Sequence, residues 1–202
     1  MGMFDKYARK MGETNAAGSG CYFEEGDYIV RVRRHQAGSH ATDGTFVAIE
    51  GEVLAVLRAF PARPSWVDGS PVKASLSVGD VGVQILMLDK HKPAIANAKN
   101  FLLTVSGRSE SALVASYCET NKCPPSEVAT AAAWGELMDL AFGGTGEVYA
   151  GTVLRCRAEQ RRAKTTGKPF TRVVWDVAPE GWEGMVPVVV RPDADADSGD
   201  ED

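Results

Sequence analysis

No run of eighteen apolar residues occurs anywhere in the chain, and its opening, MGMFDKYARK, lacks the apolar stretch of a secretory signal. Neither a membrane-spanning helix nor export is therefore expected, and a cytoplasmic protein with no membrane partner is the default. Lys6 stands where a myristoylation signal wants Ser or Thr. Cysteine is scarce: Cys21, Cys118, Cys123 and Cys156 are too few and too scattered for a disulfide scaffold. The three histidines, His35, His40 and His91, are dispersed, and no second Cys/His pair follows Cys118 and Cys123 at finger-like spacing, so no metal site is expected. A phosphate-cradling loop is missing too, because GGTGEVYAG is not followed by Lys and Ser or Thr. Acid pairs such as Asp80 with Asp89, or Glu136 with Asp139, read as solvated carboxylates. These absences leave a protein expected to need no cofactor and to be no enzyme.

What the sequence does have is an uneven distribution of charge. The formal net charge is -5, yet the last ten residues, DADADSGDED, carry six acids (Asp193, Asp195, Asp197, Asp200, Glu201 and Asp202) and no base, so the rest is close to neutral. From Arg155 to Arg172 the balance inverts. Arg155, Arg157, Arg161, Arg162, Lys164, Lys168 and Arg172 face a single acid, Glu159. A charge run of this kind either solvates a strand edge or meets a polyanion.

Periodicity organises the rest. Residues 1–20 end in ETNAAGSG and are expected to form a flexible arm. GDYIVRVRRHQ alternates Tyr28, Val30 and Val32 with Ile29, Arg31 and Arg33; GTFVAIEGEVLAVL and SVGDVGVQILML supply a second and third strand, with Gly51 marking a bend. The proline-rich segment 58–77 reads as a loop. Helical spacing begins at Lys92-Pro93, Gly107 ends it, and Ser109 and Ser126 are expected to cap two further helices. EVYAGTVLRCRAEQ and PFTRVVWDVA are strands four and five, turning through Thr166-Gly167. The expectation is a mainly β chain: an OB-fold, a five-stranded Greek-key barrel over residues 21–190, with a helical segment at about 90–143 between strands three and four and a disordered acidic tail over 191–202.

Such a barrel commonly binds single-stranded nucleic acid, and its strand four to strand five loop lies on the binding face. Arg155, Arg157 and Arg172 are expected to share one face with Phe170, with Arg161, Arg162, Lys164 and Lys168 at the hairpin tip and Arg31, Arg33 and His35 extending the track along the first strand. Cations there neutralise phosphates while unpaired bases stack on an aromatic ring. Phe170 is the first candidate stacker, with Trp66, Phe46 and Tyr149 behind it, and Trp175 is expected in the core. The acidic tail is expected to compete with nucleic acid for this surface and, once displaced, to recruit basic partners.

Taken together, RCRAEQRRAKTTGKPFTRVVW, the blocks GDYIVRVRRHQ and VGDVGVQILMLDKHKPAIANAKNFLLTVSG, and the acidic terminus resemble the single-stranded DNA-binding proteins of tailed bacteriophages over roughly residues 22–180. The resemblance implies sequence-tolerant binding of single-stranded DNA in phage replication and recombination, with partner recruitment through the tail. The competing expectation is a virion, assembly or adaptor protein whose basic hairpin contacts an acidic protein surface.

Overall fold

The computed structural model describes residues 20–40, 44–65, 69–89, 92–144, 146–162, 167 and 169–190. Among these residues the chain is mainly β with three α-helices. Its strands are β1 (Gly20–Tyr22), β2 (Gly26–His40), β3 (Gly44–Ala59), β4 (Arg63–Pro64), β5 (Pro71–Val72) and β6 (Val81–Met87). Then come α1 (Lys92–Ser106), α2 (Glu110–Asn121) and α3 (Glu127–Phe142), followed by β7 (Val153–Arg162), β8 (Pro169–Val177), a 3₁₀ turn at Trp182–Gly184 and β9 (Val188–Val189). The main sheet runs β1-β6-β3-β2-β7-β8, with β9 added to β3; β4 and β5 form a separate ribbon. The β1/β6 and β3/β9 pairs are parallel and the others antiparallel.

Two features of the expected barrel are corrected. The main sheet has seven strands rather than five, so in full strand order the helices follow the sixth strand instead of the third. The ladder path also ends at β8 and does not return to β1 or β6 among the described residues. Part of the reason is that α1 covers the free edge of β8. Asn100 on α1 accepts from the Trp175 N–H at 2.9 Å and donates from Nδ2 to the Trp175 carbonyl at 3.1 Å, copying the reciprocal bonds of a neighbouring strand. Thr104 Oγ1 donates to the same carbonyl at 3.2 Å.

The core lies between the sheet and the helices. From β2, β3 and β7 it takes Tyr28, Val30, Val32, Val47, Ile49, Val53, Leu154 and Cys156, from α1 Phe101 and Leu102, and from β8 Val173 and Trp175. Trp175 is fully buried, edge-on to Phe23 and Phe101, and its indole N–H donates to Gln84 Oε1 at 2.7 Å, tying β8 to β6 by a side-chain bond. Ser109 and Ser126 cap α2 and α3, accepting from the N–H groups of Ala112 and Ala129.

The β2/β3 ladder slips in register at three places, one of them between Val32 and Arg34. The residue skipped there, Arg33, is an extra residue on β2 and reverses the alternation beyond it. His35 therefore points inward. It is wholly buried, accepts at Nε2 from the Tyr149 N–H (3.0 Å), and so carries its proton on Nδ1, which donates to the Ala141 carbonyl (2.6 Å). Its ring lies among Phe101, Phe142 and Tyr149. Gly146 makes this approach possible: at φ +78 it accepts from the His35 N–H, and a Cβ there would fall 2.4 Å from the His35 carbonyl oxygen.

Candidate nucleic-acid interface

Pairing in β7/β8 sets Arg155 against Asp176, Arg157 against Val174, Glu159 against Arg172, and Arg161 against Phe170. Directly opposed residues share a face, so these eight stand together on the side of the sheet away from Cys156 and Trp175. Across the β2/β7 ladder, Asp27 opposes Arg157 and Arg31 opposes Val153; across β2/β3, Arg31 opposes Glu52. The expected gathering of Arg155, Arg157, Arg172 and Phe170 on one face is thus the arrangement of the side chains.

Their electrostatics differ from the count of charges along the hairpin. Arg155 reaches diagonally to Asp27, forming two hydrogen bonds, one of them Nε to Oδ1 at 2.9 Å. Arg157 reaches the other diagonal, to Asp176, with Nη2 to Oδ2 at 2.6 Å. The Asp27 bonds hold the Arg155 guanidinium above its ordinary pKa. Arg161 pairs with Glu159 two residues away, and Arg31 lies 3.9 Å from Glu52. The face is a lattice of crossed ion pairs.

Beside the lattice stand groups that make no ion pair among the described residues. Arg172 is exposed, and Phe170 is 47% exposed between Arg161 opposite it and Arg172 two residues on. Arg162, also exposed, donates from Nε to the Gly167 carbonyl at 3.3 Å. Arg33 is exposed at the bulge, with exposed Arg34 next to it. Arg34 was not singled out in the sequence, because the skipped residue that turns it outward leaves no trace in periodicity.

Other expected contributors fall elsewhere. His35 is no part of the surface track, being enclosed on the opposite side of the sheet. Phe46 is buried against Gly38, and Tyr149 is half-buried against His35, so neither offers a free face. Lys164, Lys168 and Trp66 lie outside the described residues, as do Asp193, Asp195, Asp197, Asp200, Glu201 and Asp202. Among the described residues no three His, Cys, Asp or Glu side chains are grouped to hold a metal ion, and no helix is long and apolar enough to cross a membrane. No family model matches this chain, and no curated protein matches it.

Proposed function

We propose that this chain binds single-stranded DNA with little regard to sequence, in the manner of the phage replication and recombination proteins it resembles. One observation carries the reading: an exposed phenylalanine, Phe170, sits on the β7/β8 face between two arginines, Arg161 and Arg172. A ring that stacks on any base, flanked by cations that meet any phosphate, favours a strand whose bases are unpaired. Arg33, Arg34 and Arg162 extend the cationic surface, and the sequence between Arg162 and Phe170 supplies two more cations, Lys164 and Lys168. The crossed pairs at Asp27 and Asp176 hold Arg155 and Arg157 in place and exchange a carboxylate for a phosphate when DNA arrives. The acidic residues 193–202 compete with DNA for these cations.

The proposed scaffold is an OB-type barrel. The five long strands lie in the order β6-β3-β2-β7-β8 with the helices between β6 and β7. The Gln84–Trp175 bond and α1 span the seam between β6 and β8, where a fifth ladder would otherwise close the cylinder.

The test is anisotropy of a labelled oligothymidylate, single-stranded and in duplex, titrated with the full chain at two salt concentrations. The expected result is preference for the single strand and an affinity that falls steeply with salt; absence of binding at low salt overturns the reading. A second reading, contact with an acidic protein surface, is favoured by the carboxylates already seated on Arg155 and Arg157. It predicts no oligonucleotide binding at either salt.

A further inference from the structure

Three described cysteines are free thiols, Cys118, Cys123 and Cys156, and the proposed DNA surface uses none of them. Cys156 faces the core from β7, and complete burial pushes its thiol far up and leaves it inert. The other two are placed differently. Helix α2 ends at Lys122 in the left-handed conformation (φ 52, ψ 40), the single non-glycine residue with positive φ among those described. Around it the N–H groups of Lys122 and Cys123 both donate to the Cys118 carbonyl, the Cys123 bond at 3.1 Å. This six-to-one bond folds the chain back so that the residue after the left-handed position meets the one that opens the last turn, a contact usually made by two apolar side chains. Here both are thiols, and burial first, then the neighbouring Cys123, push the Cys118 thiol up from its ordinary value.

A disulfide needs a Cα separation of roughly 4.4–6.8 Å and converging Cβ atoms, which a backbone bond directly between the two residues favours. Pro124 and Pro125 follow at once and stiffen the chain beyond Cys123. Exposure divides the roles: Cys123 is half-buried and open to a reagent, whereas Cys118 is buried.

We propose that Cys118 and Cys123 form a dithiol that closes reversibly to a disulfide by exchange with a low-molecular-weight disulfide, making the end of α2 a redox modification site. The Cys123 thiolate attacks one sulfur of the incoming disulfide and expels the first small thiolate, leaving a mixed disulfide. The Cys118 thiolate then attacks Cys123 Sγ, forming the internal S–S bond and expelling the second. The two protons lost by the cysteines end on the two released thiols. The two electrons from the cysteine sulfurs reduce the small disulfide, so the exchange balances without a metal or enzyme.

The test uses the full chain incubated with oxidised glutathione, quenched with an alkylating agent, and digested with trypsin without reduction. Cleavage after Lys122 separates the two cysteines, so the disulfide is read by mass spectrometry as peptides 109–122 and 123–155 joined to each other. That joined pair is the expected product. A lasting glutathione adduct on Cys123, two alkylated thiols, or a bond to Cys21 or Cys156 instead overturns the proposal. In Cys118→Ser the mixed disulfide at Cys123 is expected to accumulate several-fold above the parent chain; equal accumulation in both removes Cys118 as the resolving thiol.

Discussion

The carboxamide of Asn100 and the main chain of Trp175 exchange two hydrogen bonds, so a helix side chain serves as the neighbouring strand that β8 otherwise lacks. Replacing Asn100 by Ala leaves the Trp175 carbonyl with Thr104 but strips its N–H of any partner. An orphaned buried donor costs about 1–3 kcal/mol, and urea denaturation of Asn100→Ala is expected to show a loss of that size. Asn100→Asp, which keeps an acceptor for the N–H, is expected to recover part of it.

His35 makes stability depend on pH. Burial among three aromatic rings lowers its pKa from the ordinary 6.5, while the bond to Ala141 opposes this less strongly. Between the two values the unfolded chain binds a proton that the folded chain does not. The His35 contribution is therefore complete above about pH 6.5 and is lost as pH falls, at up to about 1.4 kcal/mol per pH unit until the folded imidazole itself titrates. Denaturation midpoints from pH 8 to 5 are expected to fall more steeply for the parent chain than for His35→Gln, which starts less stable. Parallel curves would exclude a buried neutral His35.

On the proposed DNA surface, stacking and charge separate cleanly. Phe170→Ala is expected to weaken oligothymidylate binding by about 1–3 kcal/mol with the melting temperature unchanged, since the ring is half exposed. Arg172→Ala is expected to reduce the slope of log affinity against log salt by about 0.7, one phosphate contact on a single strand. Anisotropy titrations across salt measure both.

On the proposed DNA surface Asp176, already paired with Arg157, competes with phosphate for it, so Asp176→Asn is expected to tighten DNA binding and steepen its salt dependence. With side chains about 40% exposed on both partners, the pair contributes no more than about 1 kcal/mol to folding. Tighter binding in a fold of near-parent stability is the signature; weaker binding would mean that the carboxylate orients Arg157 rather than competing for it.

Much of this architecture is written in the residues, and the places where it is not share a cause. Tyr28, Val30 and Val32 announce an inward face by simple alternation, and Ser109 and Ser126 announce helix starts by cap chemistry. Alternation also assigns His35 to the outer face, because one skipped residue at Arg33 inverts everything after it and an extra residue has no sequence signature of its own. Strands of two or three residues, β1, β4, β5 and β9, are too short to carry a period. The hairpin face was legible through Arg155, Arg157, Phe170 and Arg172, but its charge was overestimated. A count from Arg155 to Arg172 stops short of Asp176 and cannot see Asp27, which arrives from another strand.

The burial of Trp175 at the seam has a spectroscopic corollary. Its indole faces the helix layer, Trp134 stands on α3 against Lys99 and Glu110, and Trp182 occupies the 3₁₀ turn beyond β8. Emission from these three rings monitors whether sheet and helices remain joined, and none of the three stands at the tip of the hairpin. Phe170→Trp would install a lamp there, turning the same wavelength into a direct view of what touches that surface.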